Sequence, residues 1–197
     1  SDLIRNLRTQ LEKLNDYTFT DAEWQRFFAE RIANGNDSIA DKTFKIQEDS
    51  TQLLQRDNGE VVNIRLLDKT NIHKNCLQVI NQYEVSGARD NRYDVTLLVN
   101  GLPLVHIELK RRSVPLQEAF NQINRYQRDS FWAGSGLFEY VQLFVISNGT
   151  HTKYYSNTMR WQHINEAGKS DSHRSKKTSN SFEFTSWWAD ANNRPIT

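Results

Sequence analysis

Two alternating apolar runs flank Asn100-Gly101: Tyr93-Asp-Val-Thr-Leu-Leu-Val99 before it, Leu102-Pro-Leu-Val-His-Ile-Glu-Leu-Lys110 after it. Asn-Gly between such runs is a strong hairpin signal, because both residues accept the positive φ of a tight turn. On the second strand, Glu108 and Lys110 are two residues apart and share a face. Whether Asp94 joins them is a matter of parity. A two-residue turn pairs Val99 with Leu102 and Asp94 with Ile107, so the carboxylates take opposite faces. A three-residue loop centred on Gly101 pairs Val99 with Pro103 and Asp94 with Glu108, on one face with Cβ atoms about 5 Å apart. Pro103 has no N–H and weakens the tight register, so the sequence predicts an odd-length loop or a bulge.

Two facing carboxylates repel unless a cation lies between them or one is protonated. Mg²⁺ resolves this: it takes oxygen ligands, usually one or two protein carboxylates, and completes its shell with water and substrate phosphate. Lys110 beside it could polarise a phosphate or hold an attacking water. The plain alternative is a surface hairpin with a Glu/Lys pair. Against it, Lys110 is the only one of the chain's ten lysines with an acid two residues before it. A helix is predicted over Leu116 to Phe131, where Leu116, Ala119, Phe120, Ile123 and Phe131 fall in one apolar arc. Gln122 and Tyr126 lie one turn apart at its edge, able to reach a phosphate or water, or simply solvated and packed, respectively.

Together, Asp94, Glu108-Leu-Lys110 and Gln122-Ile-Asn-Arg-Tyr126 resemble the PD-(D/E)xK nuclease signature in its variant with a trailing Q-x-x-x-Y helix. More narrowly, Asn91 through Lys110, with Glu118-Ala-Phe-Asn-Gln-Ile123 and Phe144-Val-Ile-Ser-Asn-Gly149, resembles the N-terminal nuclease domain of the R subunit of type I restriction enzymes. The resemblance covers most of the chain. It departs at Tyr93, where the signature has proline, and an additional acid that related nucleases place on an early helix is not assigned, with Glu12 and Glu23 as candidates. It implies an α/β fold with an αβββαβ core, a mixed central sheet flanked by helices. It also implies Mg²⁺ held by Asp94, Glu108 and the backbone carbonyl of Leu109, with Lys110, Gln122 and Tyr126 completing the catalytic set. The expected activity is endonucleolytic cleavage of double-stranded DNA. Recognition and methylation would belong to separate specificity and methylation subunits, and ATP-driven translocation to a helicase motor beyond Thr197. No G-x-x-x-x-G-K-[ST] loop occurs here, so ATP is expected only in the full-length subunit. The other readings are a catalytically inert nuclease-fold module for DNA binding or assembly, and a stand-alone repair or homing nuclease.

At 197 residues the whole chain fits one domain. A net charge of +1 makes no global case for nucleic acid, so DNA contacts must come from local patches, best supplied by Arg111, Arg112, Arg125 and Arg128. The single Cys76 excludes an internal disulfide, and no apolar run could span a membrane, so a cytoplasmic protein is expected. Leu3, Leu7, Leu11 and Leu14 predict a first helix, and Thr20 with Glu23 a capping box opening a second, in a helical part over 1–35. Residues 37–59 read as loop and irregular helix. The catalytic core is placed at 60–157, with strands over Val61–Leu67 and Cys76–Val85 and a buried strand over Val141–Ile146 reached by a parallel crossover. A flexible loop is expected over 166–181, and a docked last segment over 182–197 leading toward the motor.

Overall fold

The hairpin lies at the centre of the computed structural model, which describes residues 1–85, 91–129, 131, 136–169 and 184–196. In chain order the elements are helices α1 (Asp2–Asn15), α2 (Asp21–Phe27) and α3 (Ile39–Gln47), then strands β1 (Thr51–Gln55), β2 (Val61–Arg65), β3 (Leu77–Val85), β4 (Asn91–Val99) and β5 (Leu102–Leu109). Helix α4 (Leu116–Asp129), strands β6 (Leu143–Ser147) and β7 (Thr152–Ser156), helix α5 (Asn157–Lys169) and strand β8 (Ser186–Trp187) follow. Strands β3 to β8 form one sheet in sequence order. Only β5 and β6 run parallel, and α4 makes the crossover between them. The fold is therefore α/β, with a six-stranded mixed sheet, helices packed on it and the αβββαβ order of a restriction-endonuclease-like core.

Parity is settled by a bulge. Asn100 (φ 50°) and Gly101 (φ 84°) make a two-residue turn, with Val99 opposite Leu102 and Leu98 opposite Pro103. The register then shifts, so that Leu97 pairs with Val105 and Val95 with Ile107, leaving Leu104 as the extra residue. That pairing ends one step before Asp94 and Glu108, and beyond it Asp94 reaches across to the backbone N–H of Leu109. Gly101 is required twice over. Its φ is left-handed, and a Cβ there would sit 2.6 Å from the Leu7 Cα of α1, which crosses the turn. Asn100 holds the turn from below, its Nδ2 donating to the Leu66 carbonyl at 3.0 Å and its Oδ1 accepting from the Cys76 N–H at 2.7 Å.

One face of the sheet carries the core. Leu98, His106, Phe144, Ile146 and Tyr155 point to the side where α1 brings Leu7 and Leu11 and α4 brings Leu116, Ala119, Phe120 and Ile123, all buried. The predicted arc of α4 is the buried one, and Phe131 joins it just beyond the helix. The capping box of α2 forms as expected, Thr20 Oγ1 accepting from the Glu23 N–H at 3.1 Å and the Glu23 carboxylate from the Thr20 N–H at 3.0 Å.

Two stretches differ from expectation. Residues 37–59 hold a regular helix and a strand. Helix α3 is opened by a capping box that uses Asp41 where Glu is usual, with Ser38. Strand β1 pairs with β2 as a separate hairpin around Asp57-Asn-Gly59, and it escapes a hydrophobic reading because Gln52 is buried beside Leu54. Helix α5 runs to Lys169, overlapping the start of the loop expected over 166–181, and the rest of that loop lies outside the described residues. Residues 182 and 183 also lie outside them. Phe184 packs on Phe120 and Tyr155, and Ser186–Trp187 add the edge strand β8.

Candidate active site

At the end of the bulged hairpin the strands place three side chains together. Asp94 Oδ2 accepts from the backbone N–H of Leu109 at 2.9 Å, which draws the first carboxylate onto the strand that carries the second. Lys110 donates to Glu108 Oε1 at 3.0 Å and, through a second N–H, to Gln122 Oε1 on α4. Gln122 in turn donates to the Tyr126 hydroxyl, and that hydroxyl donates to the Arg92 carbonyl at 2.8 Å. One chain of hydrogen bonds thus runs from Glu108 through Lys110, Gln122 and Tyr126 to the strand bearing Asp94. Tyr126 acts here as a tie between α4 and β4. Burial pushes its phenol pKa up, the bond from Gln122 pulls it down, and the charges of Glu108 and Asp94 raise it again, for a net rise.

Glu108 is 0% exposed, and its Oε2 has no hydrogen-bond partner. That oxygen lies 3.7 Å from His106 Nε2, too long for a hydrogen bond, and the ring nitrogen is itself unpartnered. His106 is held from the other side by Thr96, Oγ1 to Nδ1 3.1 Å. A buried carboxylate with one oxygen on an ammonium and the other free carries a large desolvation cost, which a bound cation offsets. Among the described residues no three His, Cys, Asp or Glu side chains cluster as a metal centre. The oxygen donors are thus Asp94 and Glu108, with Leu109 beside them. Such a set fits a hard ion that takes few protein ligands and finishes its shell with water and phosphate.

The site opens into a cleft of about 940 Å³ whose walls include Asp94, Leu109, Lys110 and Gln122. Four arginines also line it: Arg92, Arg111, Arg125 and Arg128. Three of these are the predicted ones, and Arg125 additionally lies 5.8 Å over the Tyr126 ring. Arg112 departs from expectation. It packs beside Gly149, since β5 has ended and the chain turns away after Arg111. Arg92 and His106 were missed, although each stands two residues before a catalytic candidate, Asp94 and Glu108, and so shares its strand face.

Neither candidate for the additional acid serves the cleft. Glu12 accepts from Arg8 at 3.1 Å and from the Phe19 N–H at 3.1 Å. Glu23 is consumed by the cap of α2, by the Tyr17 hydroxyl at 2.9 Å and by the Asp57 N–H at 3.3 Å. Burial raises the Glu23 pKa, but these hydrogen bonds outweigh it and hold the carboxyl below its usual range. The acid that does line the cleft is Glu118, on α4.

The family described as type I restriction enzyme R protein N terminus matches residues 1–163. The type I restriction enzyme EcoprrI endonuclease subunit of Escherichia coli is 46% identical over 194 residues, 98% of this chain and 57% of that protein. The SauMSSORF170P endonuclease subunit of Staphylococcus aureus is 41% identical over 160 residues, 79% of this chain and 16% of that protein. A putative type I restriction enzyme MjaIXP endonuclease subunit of Methanocaldococcus jannaschii is 33% identical over 114 residues. The chain therefore spans little more than half of the first relative and about a sixth of the second.

Proposed function

The chain belongs to the family of type I restriction enzyme R protein N termini, and from that premise we propose that the cleft is the DNA-cutting site of a Mg²⁺-dependent endonuclease domain. Residues 1–197 act in this reading as one nuclease domain of a longer cytoplasmic subunit, which binds ATP in motor domains elsewhere and works with methylation and specificity subunits. Among the described residues no helix is long and apolar enough to cross a membrane. The observation that carries the reading is the half-paired, fully buried Glu108 carboxylate, held by Lys110, which itself lines an arginine-rich cleft together with Asp94.

Asp94, Glu108 and the Leu109 carbonyl would hold Mg²⁺, which when bound neutralises phosphate charge and lowers the pKa of a ligating water. The protein's own groups do the rest. Lys110 has three N–H donors and spends two on Glu108 and Gln122, leaving one for a phosphate oxygen or an attacking water. Gln122 fixes that ammonium from the helix side, and Tyr126 fixes Gln122 and the Asp94 strand, so both are positioning groups. Arg92, Arg111, Arg125 and Arg128 grip the DNA backbone without reading its sequence, consistent with cleavage that has little sequence preference of its own.

The test uses the full restriction assembly, with translocation and cleavage measured separately in Asp94→Ala and Lys110→Ala. Both variants are expected to hydrolyse ATP and translocate normally while losing about 10²–10³-fold in cutting rate, the scale of a lost transition-state donor. Normal cutting by both would overturn the assignment and leave an inert module.

A further inference from the structure

The face of the sheet opposite the core is apolar too. Pairing carries one rung across four strands, Val79–Leu97–Val105–Leu143. A second rung runs Val95–Ile107–Val145–Tyr154. Neither contains a charge, and none of these side chains is fully buried, whereas their neighbours on the helix side, Phe144, Ile146 and Tyr155, are. The margins are barer still. Leu77 and Val79 on the edge strand β3 are 71% and 64% exposed, and Trp188, its ring 5.9 Å from Tyr154 across the sheet, is 47% exposed. An antiparallel sheet facing water alternates apolar and polar, and a sheet apolar on both faces is built to be covered on both. An uncovered patch of this size on a monomer marks an interaction surface.

Two observations indicate what covers it. By its description the matched family is the N terminus of a longer protein, and this chain spans only 16% of the S. aureus relative. Further, the residues following β8 run along one margin of the face. Ile196 donates its N–H to the Trp188 carbonyl at 3.0 Å, and its side chain is exposed. We propose that this face is the docking surface for a further folded part of the same polypeptide, one that presents an uncharged, apolar surface in return. The proposal is independent of whether the cleft cuts DNA, because it concerns the opposite side of the sheet.

The test is hydroxyl-radical footprinting of the unmodified full-length polypeptide, read by mass spectrometry across a concentration series with light scattering alongside. In the monomer, Leu77, Val79 and Trp188 are expected to be modified at least about tenfold more slowly than in the denatured chain, the protection of a closed contact. Protection no greater than about twofold at these residues in the monomer would overturn the proposal. So would protection that arises only where scattering reports a dimer, which would assign the face to a second copy.

Discussion

Two Lys–Glu pairs among the described residues, each with a buried carboxylate, show how one chemistry serves two ends. Lys42 of α3 pairs with Glu139 in the short turn of helix at Leu137–Tyr140, their side chains 0% and 9% exposed. Lys110 pairs with Glu108 at 3.0 Å, but the lysine is shared with Gln122, lines a cleft, and leaves one Glu108 oxygen free. The first pair ties α3 to the helical turn in front of β6. The second leaves one Glu108 oxygen without a hydrogen-bond partner, behind a lysine that lines the cleft. A buried ion pair is a weak device for stability, since desolvation opposes the Coulomb gain, so the half-paired one is the one to read as functional.

Breaking each pair should separate these roles. Lys42→Ala takes a buried ammonium away from the Glu139 carboxylate, and is expected to destabilise the fold by about 3–5 kcal/mol in denaturant titrations, with cutting by the folded fraction unchanged. Lys110→Ala should move the denaturation midpoint less, because water from the cleft replaces the ammonium, while abolishing most cutting. If the two variants lose equal stability, the contrast between the sites fails.

A smaller effect comes from pH. Tyr126 holds its proton more tightly folded than unfolded, chiefly through burial, so its contribution to stability is complete below about pH 10, the unperturbed phenol value, and is lost as pH rises through the folded value. Tyr126→Phe should therefore flatten the alkaline limb of a stability–pH profile. Tyr17, Tyr83, Tyr140 and Tyr155, whose pKa values burial also raises, contribute to what remains of that limb. The smallest effect is expected at Arg92. Arg92→Ala should weaken DNA binding only a few-fold and reduce the slope of log affinity against log salt by about 0.9, the share of one phosphate contact. An unchanged slope would remove Arg92 from the DNA path.

The convergence of Asp94, Glu108 and Lys110 could be framed from the sequence because strand parity is a period-2 rule that leaves few outcomes. The device that satisfies it was only half legible. Pro103 signals a disturbed register, but nothing local marks Leu104 as the extra residue, since bulge position depends on how β4 and β5 meet their neighbours. Arg92 and His106 were legible by the same parity and were passed over because an arginine beside an asparagine and a histidine in an apolar run carry no signature alone. Strand β1 was hidden because Gln52 is buried by tertiary packing that its residue type argues against. Helix α5 was hidden because its pattern is barely amphipathic: Trp161 is only half-buried and Met159 is exposed. Tyr126, read as an edge position of the apolar arc of α4, is buried against Tyr93, and its bond to the Arg92 carbonyl is a contact between residues 34 apart that has no local trace.

The central proposal is that Glu108 and Asp94 together hold a divalent cation. It is tested most directly by electron paramagnetic resonance titration of Mn²⁺ into the full-length polypeptide with duplex DNA, comparing the natural protein with Asp94→Asn. The account predicts about one tightly bound Mn²⁺ at the cleft, with affinity falling at least about tenfold in the variant. Undiminished binding in Asp94→Asn, or no bound ion in a protein that cuts the same DNA, would contradict it.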